Sequence, residues 1–417
     1  MSFIIEDLNN GIKLVYKQVL STRLSHIGVT FNTGSRDESS EEVGLAHMLE
    51  HMLFKGTEKR NWRQVLNSIE MVGGEMNAYT TKEKTCLYAS LISDYTKLAI
   101  ELLADISLHS VFPEAELEKE KKVIVDEIDM YADSPEEMIV DEFYEKVFAD
   151  HPLGTNILGA KSIILNYSSY DLRRFVAKLH NHGQLVVSYS GPVNLFKIKN
   201  WCIHAFNTPS FKQVEVIRNA PESYKPFNYE RTTQHHQCHV VYGNLACNMF
   251  DKKRTTAMLL ANILGGPALN SLLNISLREK KGITYGVDAS YNYYCDAGLF
   301  YIQWTADKEN LKKSIKIVKQ ELLKFASRPF SAKQLELYKT QFKGQLIMSE
   351  ESNQGLMLMM GRSLLDFGEI EPLEKVLAEI DAIHAQELQE VAADIFKLEK
   401  MSLLVYKPEK ETKEMED

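Results

Sequence analysis

The sequence predicts an α+β fold built from two homologous halves, and two observations support this prediction. First, the segment 47–56 aligns without a gap with 257–266, so that Met, Leu, the closing Gly and the apolar positions coincide. Second, strand-like and helix-like segments come in blocks rather than in strict alternation, which favours an α+β architecture. Two further coincidences occur at a separation of 218 residues: Leu117 with Leu335, and Asp133-Ser134 with Glu351-Ser352.

Alternation, β-branched content and helical periodicity predict the elements in chain order. The chain opens with a strand pair around Asn9-Asn10-Gly11. The strands predicted after it are 26–34, 85–92, 184–191, 237–244 and 299–304. The predicted helices are 95–109, 114–132, 309–326 and 331–348, and the methionine-rich run 357–360 fits the core of a further helix.

The length of the chain also indicates two domains. It has 417 residues, which is more than one hydrophobic core usually supports. The segment 207–230 contains proline and polar residues with weak periodicity, so it is the best candidate for a linker. We therefore predict an N-terminal domain over 1–212, a linker over 213–229 and a C-terminal domain over 230–417.

Composition excludes several classes of protein. The net charge of −9 argues against a dedicated nucleic-acid binder, which needs an excess of basic residues. No apolar run approaches the roughly 20 residues that span a bilayer, and the N-terminus does not resemble a signal peptide. The five cysteines are scattered and odd in number, which indicates reduced thiols and a cytoplasmic location.

One motif is present only in the first half. Residues four apart on a helix share a face, so His47 and His51 can converge on one cation of zinc size, and Glu50 leans over the same face. The pattern H-x-x-E-H inverts the H-E-x-x-H signature of zinc proteases. An exposed helix with incidental histidines fits poorly, because the motif lies in an apolar run where buried His and Glu need partners. The aligned residues of the second half are Ala257, Leu260 and Ala261.

A catalytic zinc site needs a third protein ligand. The predicted helix 114–132 offers Glu120 and Glu127, which are seven residues apart and therefore lie on one face. The second half has Tyr338 and Gln345 at the aligned positions, so these carboxylates are also confined to the first half. Charged residues on such a helix are usually only its solvated face, and spacing alone does not choose between the two.

Together these residues resemble the M16 metallopeptidases, the pitrilysin or inverzincin family, which includes insulin-degrading enzyme and the mitochondrial processing peptidase. Glu127 stands at the family's spacing for the third ligand, and Glu120 at that of a second Glu. In the second half, LREKKGITYGV (277–287) resembles the family's R/Y segment, with Arg278 and Tyr285 at the family's separation. The flanking similarities are GSRDE (34–38), GLAHMLEHMLFKGT (44–57), GGEMNAYTTKEKT (73–85) and HPLG (151–154).

The resemblance implies an architecture. Each chain would contain two homologous α/β-roll half-domains, the first binding one Zn2+ through His47, His51 and Glu127. Four such domains form a clamshell around a closed chamber, so a chain with two of them needs a partner. The chain resembles the bacterial homodimeric subfamily, in which Arg278 and Tyr285 of one chain would act in trans on the zinc site of the other.

The resemblance also implies roles for the individual residues. Glu50 would be the general base on a zinc-bound water and would later pass the proton to the leaving amine. Glu120 would orient a ligand histidine. Tyr285 would help zinc to stabilise the oxyanion. Arg278 would bind substrate carbonyls or order that donor, and the sequence does not settle which.

The segment 75–80 resembles the family's edge strand, to which a substrate peptide would add with Asn77 and Ala78 central. A simple strand of the core sheet is the alternative, and both interpretations stay open. The tract 234–239 could bind a soft metal in isolation, but it opens a predicted strand whose alternate residues point to opposite faces.

The predicted function is that of a zinc-dependent endopeptidase acting on peptides or unfolded segments inside a chamber. The alternative is a non-catalytic assembly subunit of the same fold. Relatives of that kind usually lack the motif or the Glu ligand, whereas both are intact in this sequence. Neither nucleic acid nor membrane is an expected partner, and the two-domain resemblance disfavours a zinc hydrolase of small molecules.

Overall fold

The computed structural model describes residues 3–8, 10–181, 184–208 and 216–409. The first three residues of the predicted linker and Asn9 of the predicted turn lie outside these ranges. Within them the chain forms two β-sheets and a set of helices. The strands are β1 (Ile4–Asp7), β2 (Lys13–Gln18), β3 (Leu24–Phe31), β4 (Glu75–Thr80), β5 (Thr85–Ile92), β6 (Leu185–Gly191), β7 (Asn228–Thr233), β8 (Cys238–Ala246), β9 (Val287–Tyr293), β10 (Gly298–Ala306) and β11 (Ser402–Pro408).

The α-helices alternate with these strands in blocks, as predicted for an α+β fold. In addition to the α-helices, the residues Asn274–Glu279 form a π-helical turn. The helices are α1 (Leu45–Met52), α2 (Trp62–Glu70), α3 (Thr96–His109), α4 (Glu114–Ala132), α5 (Pro135–Val147), α6 (Lys161–Ile164), α7 (Ser169–Asn181), α8 (Leu195–Ala205), α9 (Arg254–Gly265), α10 (Leu311–Ser327), α11 (Ala332–Glu350), α12 (Asn353–Phe367), α13 (Leu373–Ala382) and α14 (Ala385–Ile395).

The predicted elements are confirmed. The helix predicted over 114–132 and the strand predicted over 85–92 have the predicted bounds. For the other predicted elements, the observed first and last residues differ from the predicted ones by no more than three positions. The predicted strand pair at the N-terminus is the antiparallel pair of β1 and β2. No helix in the described ranges is long and apolar enough to cross a membrane.

The two sheets share one strand order, which confirms the internal repeat. The first sheet runs β1-β2-β6-β3-β5-β4 and the second runs β7-β11-β8-β10-β9. Without β1, the first order maps onto the second strand by strand, and in both sheets the first two of the shared strands are parallel. The helices repeat as well, because α4 and α11 have equal lengths and bury Leu117 and Leu335 at matching positions.

The chain divides into two compact units that are not contiguous in sequence. The first unit contains Met1–Asp129, Thr155–Ile217 and Ile347–Glu371. The second contains Met130–Gly154, Arg218–Leu346 and Pro372–Asp417. The division into 1–212, 213–229 and 230–417 stays a prediction, and the units differ from it because α12 packs on the first sheet while α5 packs on the second.

The methionine-rich run belongs to the core of α12, as predicted. Met357 and Met360 are fully buried, and α12 lies against β2, β3 and β6. Gly28 on β3 permits this close approach, because a Cβ there would lie 2.5 Å from Sδ of Met357. The Ser188 hydroxyl also donates a hydrogen bond to that sulfur, at 3.0 Å. The buried apolar side chains of α12 therefore form a separate cluster with Val15 and Val186 of the first sheet.

Candidate metal centre

Helix α1 carries the H-x-x-E-H motif. Its start is fixed by a glycine in the left-handed conformation and by two hydrogen bonds to the carboxyl of Glu38. Gly44 precedes the helix with φ +86°, and a Cβ there would lie 2.9 Å from the Cα of Gly159. Only glycine suits that conformation and that approach. Gly44 has no side chain to cap the helix, but the Glu38 carboxyl accepts the N–H groups of Gly44 (3.0 Å) and Ala46 (2.7 Å).

Three ligand-type side chains converge beside this helix. The donor atoms of His47, His51 and Glu127 all lie within 4.8 Å of one another. Oε2 of Glu127 on α4 is 3.7 Å from Nε2 of His47 and 3.4 Å from Nε2 of His51. Ligands of a tetrahedral zinc at its usual bond lengths lie about 3.4 Å apart, so this donor set fits zinc in both spacing and chemistry.

Glu120 occupies a different place from Glu127. Its Oε2 lies 3.2 Å from Nδ1 of His51, on the side of the ring away from the ligand atom. Burial lowers the pKa of His51, but the hydrogen bond to Glu120 and the charge of Glu127 outweigh it and raise that pKa. The Nδ1–H of His51 therefore donates to Glu120, which leaves Nε2 as the atom that can bind a metal.

His47 is held as a neutral imidazole. Burial, together with the nearby His51, lowers the pKa of His47 to about 4. A neutral imidazole is the form that offers a lone pair to a metal ion. Its other ring nitrogen, Nδ1, is buried and has no hydrogen-bond partner in the described part of the chain. The two histidines therefore differ in their support, because only His51 has a carboxylate behind it.

Glu50 lies on the same helix but outside the ligand set. The pKa of Glu50 is raised, because burial outweighs the opposing effects of the hydrogen bonds from Thr80 and the charge of His51. Thr80 is the last residue of β4, so the Glu50 carboxyl lies at the end of that strand. A carboxyl with a raised pKa beside a metal site is suited to accept and return a proton.

The chain is similar to known proteins over nearly its whole length. The family model described as insulinase (peptidase family M16) matches residues 13–161, and the model described as peptidase M16 inactive domain matches 166–342. The chain belongs to peptidase family M16. It is 32% identical to an uncharacterized zinc protease of Rickettsia felis over 95% of both chains. It is 30% identical to the uncharacterized zinc protease YmxG of Bacillus subtilis, over 93% of this chain and 94% of that one.

Solved structures show the same fold. A peptidase M16 inactive domain from Pseudomonas fluorescens superposes with a TM-score of 0.91 at 17% identity and 98% coverage of both chains. A protease from Helicobacter pylori superposes with a TM-score of 0.88 at 21% identity, over 98% of this chain and 99% of that one. These similarities confirm the predicted two-part M16 fold.

The second repeat of this M16 chain lacks the metal donors. Ala257, Leu260 and Ala261 are buried on α9 where the first repeat has its motif. Gln345 on α11 accepts a hydrogen bond from the Asn262 amide at 2.6 Å instead of facing a metal ligand. At these positions α9 and α11 therefore carry apolar side chains and a pair of hydrogen-bonded amides instead of metal donors.

Strand β4 lies at the edge of the first sheet of the M16 fold. Among the described strands it pairs only with β5. Asn77 is exposed, whereas Ala78 is buried. The Ala78 N–H donates to Oδ1 of Asn77 at 2.8 Å, so a side chain of the strand itself occupies this main-chain donor. The segment 75–80 is therefore an edge strand of the sheet, and its role in binding a peptide stays a prediction.

The Arg/Tyr pair lies in the second compact unit. Arg278 is in the π-helical turn, and its side chain is 40% exposed, with Nε 3.6 Å from Oε1 of Glu279. Tyr285 is 85% exposed. The zinc-ligand candidates and Glu50 belong to the first unit. Both side chains of the pair are thus accessible to a peptide or a second chain.

The tract 234–239 does not gather a set of ligands. Cys238 is buried on β8, and the rings of His235 and His239 are 6.2 Å apart. In the described part of the chain, no three donor atoms of this tract come within metal-binding distance of one another. The strand alternation used in the sequence argument accounts for this separation.

Sequence reasoning missed Lys55. Its Nζ lies 2.6 Å from Oε1 of Glu120. Lys55 is in the turn that continues α1, and it follows His51 by the same four residues that separate His51 from His47. This regular four-residue spacing could have indicated that Lys55 lies on the same helix face as the histidines. A lysine at the end of a helix, however, usually extends into solvent.

Proposed function

We propose that this M16 chain is a zinc-dependent endopeptidase that hydrolyses peptides or unfolded segments of polypeptide. The observation that carries the proposal is the donor set of His47, His51 and Glu127 at zinc spacing, next to Glu50 at the end of an edge strand. A small-molecule site does not require such an edge, whereas an extended peptide can pair with it.

The chain's own residues divide the work of hydrolysis. His47, His51 and Glu127 would hold the zinc, whose positive charge would polarise the scissile carbonyl and acidify an attacking water. Glu50 takes the proton from that water and delivers it to the leaving amine. Glu120 holds the ring of His51 in place through the hydrogen bond to Nδ1.

The free edge of β4 is the proposed binding site for substrate. An extended peptide adds to this edge as a further strand, and its carbonyl takes the place of the Asn77 amide at the Ala78 N–H. Main-chain pairing of this kind gives affinity with little dependence on side chains. The enzyme should therefore accept many sequences, provided that the segment is unfolded.

The proposed functional unit is a homodimer with an enclosed chamber. Arg278 and Tyr285 of one chain would act on the zinc site of the other, and their exposure supports this role. Tyr285 would donate to the developing oxyanion, while Arg278 would bind substrate carbonyls or order that donor. We also place the protein in a reducing, cytoplasmic compartment, because its five cysteines are scattered along the sequence and odd in number.

Zinc uptake and peptide cleavage test the proposal. Wild-type protein should take up about one zinc per chain and cleave a fluorogenic peptide, and a chelator should abolish cleavage until zinc is restored. Glu50→Gln should still bind zinc but cleave about 10²–10⁴-fold more slowly, because it loses the general base.

Glu101→Gln is the matched control, since Glu101 is an exposed glutamate on α3. Its activity should equal that of the wild type. A Glu50→Gln variant with wild-type activity would contradict the role of the base. A wild-type protein that takes up no zinc and cleaves nothing would favour the non-catalytic assembly subunit.

A further inference from the structure

A chain of three side chains links the end of α1 to the metal-ligand set. Nζ of Lys55 lies 2.6 Å from Oε1 of Glu120, and Oε2 of the same carboxylate lies 3.2 Å from Nδ1 of His51. Nε2 of His51 in turn lies 3.4 Å from Oε2 of Glu127. Each oxygen of Glu120 therefore has its own partner, one cationic and one an imidazole N–H.

We infer that Lys55 is a positioning residue that acts through Glu120 on His51 and so strengthens zinc binding. The inference rests on the proposed function in so far as zinc is the bound metal. Lys55 is not itself one of the three ligand-type residues, and its ion pair is with Glu120.

The physical reason lies in the burial and geometry of Glu120. Its side chain is only 10% exposed, so an ionised carboxylate there needs compensating partners. Lys55 supplies the opposite charge and holds one oxygen, which fixes the plane of the carboxylate. The other oxygen is then directed at Nδ1 of His51, which keeps the proton on that nitrogen and the lone pair on Nε2.

A second lysine–glutamate pair shows what distinguishes Lys55. Lys119 on α4 lies 2.8 Å from Glu116, but its side chain is 66% exposed, whereas that of Lys55 is 27% exposed. An exposed pair three residues apart on a helix contributes little, because water and salt screen it. Lys119 is therefore a matched control, because it is a lysine paired with a glutamate and lies on α4, the helix that carries Glu120.

The test compares zinc affinities by competition with a chelator. Lys55→Met should bind zinc about tenfold more weakly than the wild type, the low end of the effect of removing a residue behind a metal ligand. Lys55→Arg should recover most of the affinity, because it keeps a cation within reach of Glu120. Lys119→Met should bind zinc as the wild type does.

A readout without zinc separates positioning from a general loss of stability. In protein labelled with ¹⁵N-histidine, at a pH high enough to keep His51 neutral, its ring nitrogens should report a proton on Nδ1 in the wild type and a mixture of tautomers in Lys55→Met. Circular dichroism establishes that the variants are folded, and Lys55→Gln, a second uncharged side chain, replaces Lys55→Met in both measurements if Lys55→Met does not fold. Wild-type zinc affinity and unchanged His51 signals in Lys55→Met would overturn the inference.

Failure of the proposed function has a different signature. The affinity measurement needs no substrate, so a wild type that binds zinc but cleaves no peptide would contradict the endopeptidase and leave the Lys55 comparison intact. A wild type that binds no zinc would overturn both proposals. Unchanged affinity in Lys55→Met, together with an inactive Glu50→Gln, would remove only the role of Lys55.

Discussion

Glu38 is the cap that the metal-binding helix cannot provide for itself. Gly44 has no side-chain acceptor at the start of α1, and the buried carboxyl of Glu38 accepts two N–H groups there. Burial raises the pKa of Glu38 to about 8, although those two hydrogen bonds lower it. The start of the helix is therefore coupled to a group that titrates near neutral pH.

This coupling predicts a pH-dependent stability. Because the pKa of Glu38 is higher in the folded chain than its ordinary value of 4.5, the folded state binds more protons between the two values. The free energy of unfolding should therefore fall as pH rises from about 5 to about 8, by the order of a few kcal/mol. In Glu38→Gln, which has no proton to lose, denaturant unfolding should depend much less on pH in that window.

Glu42→Gln is the control for this prediction. Burial raises the pKa of Glu42, but hydrogen bonds from Ser39 and Lys178 outweigh it and lower the pKa below the ordinary value. The stability due to Glu42 is therefore lost only on acidification below the window. Glu42→Gln should keep most of the wild-type slope, because the charge of Glu42 is only a minor cause of the raised pKa of Glu38. Equal slopes in Glu38→Gln and the wild type would contradict the prediction.

At the scale of residues, the sequence was sufficient to predict that the two histidines of α1 lie side by side. The four-residue spacing identified His47 and His51 because it depends only on helix geometry. Spacing could not separate Glu120 from Glu127, since both lie on one face of α4, and only the resemblance assigned their roles. The structure places one carboxylate at Nε2 and the other at Nδ1 of His51.

At the scale of elements, the placement of α12 is the feature that local pattern could not predict. Periodicity indicated a helix core around 357–360 but not the sheet on which the helix packs, because that depends on contacts far apart in sequence. Lys84 and Asp366 form one such contact, with 2.7 Å between Nζ and Oδ1. Their side chains are 7% and 8% exposed, so this ion pair is buried inside the first unit.

We predict that breaking this pair destabilises the chain strongly. Asp366→Asn leaves the ammonium of Lys84 buried without a countercharge, which should cost about 3–5 kcal/mol in the free energy of unfolding. The double variant Lys84→Met with Asp366→Leu should recover most of that loss, because it leaves no charge buried. Denaturant unfolding measures both.

Lys97→Met serves as the control, since its pair with Glu101 is exposed. Removing it should change the free energy of unfolding by less than about 1 kcal/mol. If Asp366→Asn were no more destabilising than Lys97→Met, α12 would not depend on this ion pair.

At the scale of the whole molecule, the repeat separates two kinds of chemistry. The metal donors are in the first repeat, and the matching positions of the second repeat hold apolar or amide side chains. Arg278 and Tyr285 are exposed in the second unit. The sequence predicted this distribution from the aligned halves.

Mixing two inactive variants decides between action in cis and in trans. In the proposed homodimer, Glu50→Gln would disable the zinc site and Arg278→Ala the Arg/Tyr segment, so each variant alone should be inactive. In an equal mixture half of the dimers are mixed, and in trans each would contain one intact centre of two, which gives about a quarter of wild-type activity. Completion within one chain predicts no recovery, because each chain then carries a defect in its own centre.

The mixture of Glu50→Gln with Glu127→Gln should stay inactive in either case, since both changes disable zinc sites. Once mass spectrometry shows that the subunits have exchanged, baseline activity in the first mixture would contradict action in trans.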